Sequence, residues 1–132
     1  INELINYLIA QADETVEIFD LYKKCIANLK KNNSIEKTLR NFELDILSVL
    51  GYEINFQSDY DNNERIISGC NYKYSPQSGF MKSKNGYDGK MLNEINKREF
   101  SKDSLRICKE INRSTINYYF EELNIKSRIF FK

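Results

Sequence analysis

The sequence contains no histidine. That removes the commonest general base near neutral pH and every nucleophile pair built on it, such as Cys-His or Ser-His. Its three cysteines, Cys25, Cys70 and Cys108, are odd in number and far apart. Such a set makes no disulfide framework and fits a reducing cytoplasm, the expected location. Zinc asks for about four Cys or His ligands. Three scattered cysteines without a Cys-x-x-Cys predict no metal, and nothing in the sequence calls for another cofactor. No stretch approaches the ~18 consecutive apolar residues that a membrane span requires. Proline occurs once and glycine five times, and all six lie between Gly51 and Gly89.

The chain has 132 residues, about one domain by length and enough to bury a real core. The hydrophobic fraction is 41% and the charged fraction 30%, which is ordinary for a soluble protein. The opening residues run straight into a helical pattern, without a charged-then-apolar leader. With Ile1 at the start, the chain is expected to be part of a longer protein. The net charge of +1 hides an asymmetry. Residues 1–80 carry 8 basic and 12 acidic side chains, and residues 81–132 carry 12 basic and 7 acidic. Such a split can mark a face for nucleic acid or for an acidic peptide. Paired carboxylates have no motif to place them, so the chain is expected not to be an enzyme.

Leu4, Ile5, Leu8 and Ile9 stand at helical spacing, and Val16, Phe19, Tyr22, Ile26 and Leu29 repeat it. A break at residues 30–34 ends in Ser34, a fitting N-cap. A third apolar face follows with Leu39, Phe42, Ile46, Val49 and Leu50, closed by Gly51 as C-cap. Three helices are expected to pack as a small bundle. The glycine- and tyrosine-rich middle, about residues 53–90, predicts a β-hairpin-like insertion. Its strands fall near residues 65–84, around the turn Pro76-Gln77-Ser78-Gly79. Tyr72, Tyr74 and Phe80 should pack this excursion onto the helices. Asp59, Asp61 and Glu64 lack the spacing of a calcium loop and are expected as exposed loop charge. The last third returns to helix, with Ser101 as N-cap and Leu105, Cys108, Ile111, Thr115 and Tyr119 on one face. A final short helix is expected near Lys126. The fold class is therefore mainly α, one domain over residues 1–132.

Three separated segments carry a resemblance. They are "INELINYLIA" with "IFDLYKKCI", "LRNFELDILSVLGYEINF", and "LNEINKREFSKDSLRICKEINRSTINYYFEELNIKSR". Between them lies "YKYSPQSGF". In this order they resemble the C-terminal region of the RecO family of bacterial DNA-repair proteins, which are recombination mediators. That family shows an arginine, a Phe-Glu-Leu, a Leu-Gly-Tyr, a Tyr-x-Ser-Pro-x-Ser-Gly turn and a closing Lys-Ser-Arg. Its N-terminal oligonucleotide-binding barrel, a fold typical of single-strand binders, is absent from this sequence. Some members hold a four-cysteine zinc site in the middle excursion. With Cys70 alone there, this chain resembles the zinc-free members, and the insertion would be zinc-finger-derived.

The resemblance implies a non-catalytic role. Such proteins bind and anneal DNA, partner with RecR, and help load RecA on strands coated by single-stranded-DNA-binding protein. They also dock the acidic C-terminal tail of that coating protein, which ends in a hydrophobic residue with a free carboxylate. Arg40 stands at the margin of an apolar stripe, where a guanidinium can hold a carboxylate through paired hydrogen bonds. The implied tail-binding set is Arg40, Leu39 and Phe42, with Lys126 and Arg128 as further cations. The alternative is that Arg40 pairs with Glu36 or Glu43 on its own helix. Arg106, Lys109 and Arg113 share a helix face and, with Lys97 and Arg98, form a candidate weak DNA-binding set, or simply a solvated face. Where the family often carries glycines and a lysine before Lys-Ser-Arg, Glu121 and Glu122 stand here and dilute that charge. A helical interaction module with no DNA role is the competing function.

Overall fold

The computed structural model describes residues 15–31 and 34–130, with side chains for residues 16–31 and 34–119. The expected helix over Leu4, Ile5, Leu8 and Ile9 lies outside the described residues. Among those described, four helices and one three-stranded antiparallel sheet make a mainly α chain. No described helix is long and apolar enough to cross a membrane. The chain divides into two compact units, Ile1–Ile54 and Asn55–Lys132.

The first unit holds α1 (Thr15–Lys30) and α2 (Ile35–Val49), which pack on each other. Ser34 caps α2, its hydroxyl accepting from the Lys37 amide. At the other end the Gly51 amide bonds the Ser48 carbonyl and the Tyr52 amide reaches the Leu47 carbonyl. These bonds satisfy carbonyls that a helix end leaves open, and they require the left-handed backbone that Gly51 adopts at φ +87°. The Leu-Gly-Tyr sequence is thus a helix stop. The buried face of α1 is not the expected one. Ile18 and Cys25 are buried, whereas Val16 is 74% exposed and Phe19 46%. The helix carries apolar residues around much of its girth, and the contact with α2 selects the stripe through Ile18, Tyr22 and Cys25. Tyr22 meets Phe42 edge-on, with ring centroids 6.4 Å apart.

The second unit is built on β1 (Asn71–Ser75), β2 (Gly79–Ser83) and β3 (Tyr87–Asp88), in the order β2-β1-β3. The hairpin of β1 and β2 turns at residues 76–78, as the proline and glycine there predict. The short third strand was not expected; it pairs Asn71 with Asp88 and Tyr72 with Tyr87. Helix α3 (Gly89–Lys97), also unforeseen as a separate element, starts at once, its N-terminus capped by the Asp88 carboxylate. Gly89 lets the helix start lie against the preceding loop. A Cβ at that position would fall 1.9 Å from the Ile67 carbonyl oxygen. Helix α3 ends with Arg98 in left-handed backbone, and α4 (Lys102–Phe130) follows.

The turn into α4 is held by a reciprocal capping box. The Ser101 hydroxyl accepts from the Ser104 amide, and the Ser104 hydroxyl accepts from the Ser101 amide. Ser101 Oγ also lies 2.7 Å from Glu94 Oε1 as a donor, and this bond holds the Glu94 carboxyl below its ordinary range. Helix α4 then runs unbroken to Phe130, so no separate helix begins near Lys126. Nothing after Gly89 supplies a Gly or Pro to stop it.

The core of this unit gathers Phe56, Ile66, Tyr72, Phe80, Leu92, Ile95, Ile107, Cys108 and Ile111. The tyrosine hydroxyls that enter it find partners. Tyr72 Oη accepts from the Ile67 amide at 3.1 Å. Thr115 Oγ1 already donates to the Ile111 carbonyl, so the 2.7 Å contact with Tyr74 is one in which the phenol donates. Tyr119 donates to the Pro76 carbonyl at 3.2 Å. Asp59, expected at the surface, is 1% exposed. Its Oδ1 accepts from the Asn62 and Glu64 amides and organises the loop from inside.

Burial pushes the Tyr74 phenol up to about 12. Folding therefore favours the neutral phenol. Its contribution is complete below the ordinary tyrosine value near 10 and is lost as pH rises through about 12. Wild type should lose thermal stability over that alkaline window by a margin that Tyr74→Phe lacks. At neutral pH the same substitution should cost about 1 kcal/mol for the missing hydrogen bond. Melting curves of both proteins from pH 7 to 12 would check this.

Candidate functional site

Arg40 occupies the second turn of α2, where residues four behind and three ahead lie on its own face. The guanidinium is almost fully enclosed, with 5% of the side chain exposed. Two carboxylates of the same helix meet it. Nη1 donates to Glu36 Oε2 at 3.1 Å, and Nη2 donates to Glu43 Oε2 at 2.9 Å. Nε lies 2.7 Å from Glu43 Oε1, close enough for an ion pair but too bent for a good hydrogen bond. The two carboxylates differ in setting. The Glu36 side chain is 53% exposed and that of Glu43 only 18%. The helical spacing that offered both glutamates as partners is realised with both at once.

Leu39 and Phe42 flank Arg40 on the same helix, Leu39 half-buried and Phe42 buried. Cys25 of α1 is buried in this unit, and burial, followed by the negative charge of Glu43, pushes its thiol above the ordinary range. A thiol in that setting stays protonated and packs as a small apolar group. The side chains of Lys126 and Arg128 lie outside the described residues, although the α4 backbone passes through both positions.

The candidate DNA-binding set belongs to the second unit. Arg106, Lys109 and Arg113 are exposed along α4, and Lys102 continues their row by one turn toward the N-terminus. Lys97 is exposed at the end of α3, and Arg98 is half-buried just beyond it. The row is not purely cationic. Arg106 Nη1 lies 3.9 Å from Glu110 Oε1, both well exposed, a pairing that contributes little. Glu110 also faces Tyr87, whose phenol is raised by burial first and by that carboxylate next, while Arg106 opposes the shift. Lys82, on the sheet, pairs with Glu64 at 3.0 Å. Among the described residues, no three Cys, Asp or Glu side chains come together as a metal site.

Nearly the whole chain, residues 1–129, matches the family model described as Recombination protein O C terminal. Among curated proteins it is 33% identical over 138 residues to a "DNA repair protein RecO" of Salmonella dublin, and equally to that of Salmonella schwarzengrund. It is 30% identical over 137 residues to the protein of the same name from Pseudoalteromonas atlantica. Each match covers 100% of this chain and 57% of the relative. The chain belongs to the RecO family and corresponds to its C-terminal region.

The burial of Arg40 changes what its removal should do. Truncation strands the Glu43 carboxylate in a mostly enclosed place, which costs more than losing a surface ion pair. With Glu36 half in water, the loss should be roughly 1–3 kcal/mol. Chemical denaturation should find Arg40→Ala destabilised by that amount and Arg40→Lys by less, since lysine keeps the charge but not the planar fork. An unchanged midpoint in Arg40→Ala would mean that the ion pairs contribute nothing to folding.

Proposed function

We propose that this chain is the C-terminal part of a DNA repair and recombination mediator. In this reading it docks the acidic C-terminal tail of single-stranded-DNA-binding protein and helps load RecA in recombinational repair, with RecR as a further partner. It works in the cytoplasm at the nucleoid, and it makes and breaks no covalent bond. DNA contact through this region is weak, carried by Arg106, Lys109, Arg113, Lys97 and Arg98. The three-stranded insertion is read as a zinc-free descendant of the family's zinc finger, since Cys70 is its one cysteine.

The observation that carries the proposal is the family match along residues 1–129. Arg40 adds local support. Its guanidinium already binds carboxylates, and the half-buried Leu39 precedes it in the chain, while Phe42, two residues on, turns to another face of α2. A peptide's terminal carboxylate needs the same chemistry, and an apolar terminal side chain needs a neighbouring apolar surface. The reading of Lys126 and Arg128 as further cations for the tail rests on the sequence alone.

Titration with a labelled acidic peptide ending in Phe tests the docking. A charge-assisted hydrogen bond contributes ~1.5–3 kcal/mol, so Arg40→Ala should weaken binding roughly ten- to a hundredfold. Because that variant is also expected to lose stability, Arg40→Lys is the safer comparison and should recover part of the affinity. Amidating the peptide should cost wild type far more than it costs Arg40→Ala, with Arg40→Lys in between. Equal losses in all three would separate Arg40 from the carboxylate and favour a helical interaction module of another kind.

Phosphate binding predicts a second result. Affinity for single- or double-stranded DNA should fall steeply with salt, because each phosphate neutralised releases counterions. Replacing Arg106, Lys109 and Arg113 together by Ala should flatten the slope by roughly 1 for each phosphate no longer neutralised. A slope unchanged by the triple substitution would move DNA binding elsewhere on the chain.

A further inference from the structure

We infer that Glu36 is a built-in stand-in for an incoming carboxylate, holding the exposed side of Arg40 until a ligand displaces it. The inference rests on the reading of Arg40 as a tail-docking residue and concerns how that site is controlled. The two carboxylates on Arg40 are not equivalent. Glu43 takes two nitrogens and is largely enclosed, so moving it would leave a charge in a poorly solvated place. Glu36 takes Nη1 alone through one 3.1 Å bond, and half of its side chain already faces water. A pair of that kind contributes little, so swinging it outward costs little. With the Arg40 side chain only 5% exposed and Nη1 bonded to Glu36, the guanidinium offers little open surface of its own. A ligand carboxylate must therefore replace Glu36 at the same nitrogen, an exchange of like for like. The position suits an anion for a second reason. Glu36 sits in the first turn of α2, where the helix dipole favours negative charge. Peptide affinity at Arg40 is thus a difference between two carboxylates, and Glu36 holds it below what the guanidinium would give with that nitrogen uncovered.

The test compares wild type, Glu36→Gln and Glu17→Gln, each titrated with the acidic Phe-ended peptide as free acid and as C-terminal amide. Glu17 is an exposed glutamate in the first turn of α1, so its substitution removes one negative charge without touching Arg40. Glu36→Gln should tighten the free acid about two- to fivefold, the scale of a weak ion pair, and move the amide no more than Glu17→Gln does. Glu17→Gln should shift both peptides alike and only slightly. If wild type binds and Glu36→Gln binds no tighter, the stand-in is wrong while docking survives. Equal gains for acid and amide would also overturn it, because they would report net charge. If neither wild type nor Glu36→Gln binds the free acid, docking and stand-in fall together. Binding seen only in Glu36→Gln would be the strongest support, with the stand-in masking the site.

Discussion

In the second unit the small sheet is held in place by tyrosine hydroxyls, one buried and two half-buried. A phenol taken from water must find a hydrogen-bond partner or lose part of what its ring contributes. Tyr72 meets that condition at the Ile67 amide, Tyr74 at Thr115, and Tyr119 at the Pro76 carbonyl. The last two bonds join residues 41 and 43 apart in sequence. They tie the hairpin to α4 from both sides, one phenol leaving the sheet and the other leaving the helix. The rings supply apolar area, and the hydroxyls fix where that area sits.

The first unit solves a different problem with the same economy of parts. Its cation is neither at the surface nor in the apolar core, but enclosed between two glutamates of its own helix. The ion pairs are local in sequence, so α2 supplies all three partners itself. The helix stop at Gly51 then fixes how far the Arg40 helix runs.

Features written in adjacent residues were legible in the sequence. Ser34 and Ser101 cap as their positions predict, and the Pro76–Gly79 turn places the hairpin register. Glu36 and Glu43 stand at the spacing that reaches Arg40. Features decided by a choice among similar residues were not legible. On α1 the apolar residues span too wide an arc for periodicity to select Ile18 over Val16 or Phe19. Asp59 looks like loop charge because its partners are backbone amides, which composition does not display. The start of α3 at Gly89 hides inside a segment that reads as irregular, and its signal is the Asp88 cap. Near Lys126 a new helix was expected, but no breaker precedes it and α4 continues. The exposure of Arg40, on which its two readings differ, depends on packing that one sequence does not reveal.

The loop before the sheet has a consequence for how this chain meets other chains. The Tyr60 amide bonds the Phe80 carbonyl, the Tyr60 hydroxyl reaches the Met81 sulfur, and Glu64 pairs with Lys82. The loop thus lies along the outer margin of β2, while the opposite margin is a strand of only two residues. Open strand margins invite other backbones to add to a sheet, in aggregation or in peptide capture by strand pairing. This sheet offers them little. A partner of the second unit is left to be recognised by side chains on its surface, so selectivity can change residue by residue without disturbing the ladder beneath.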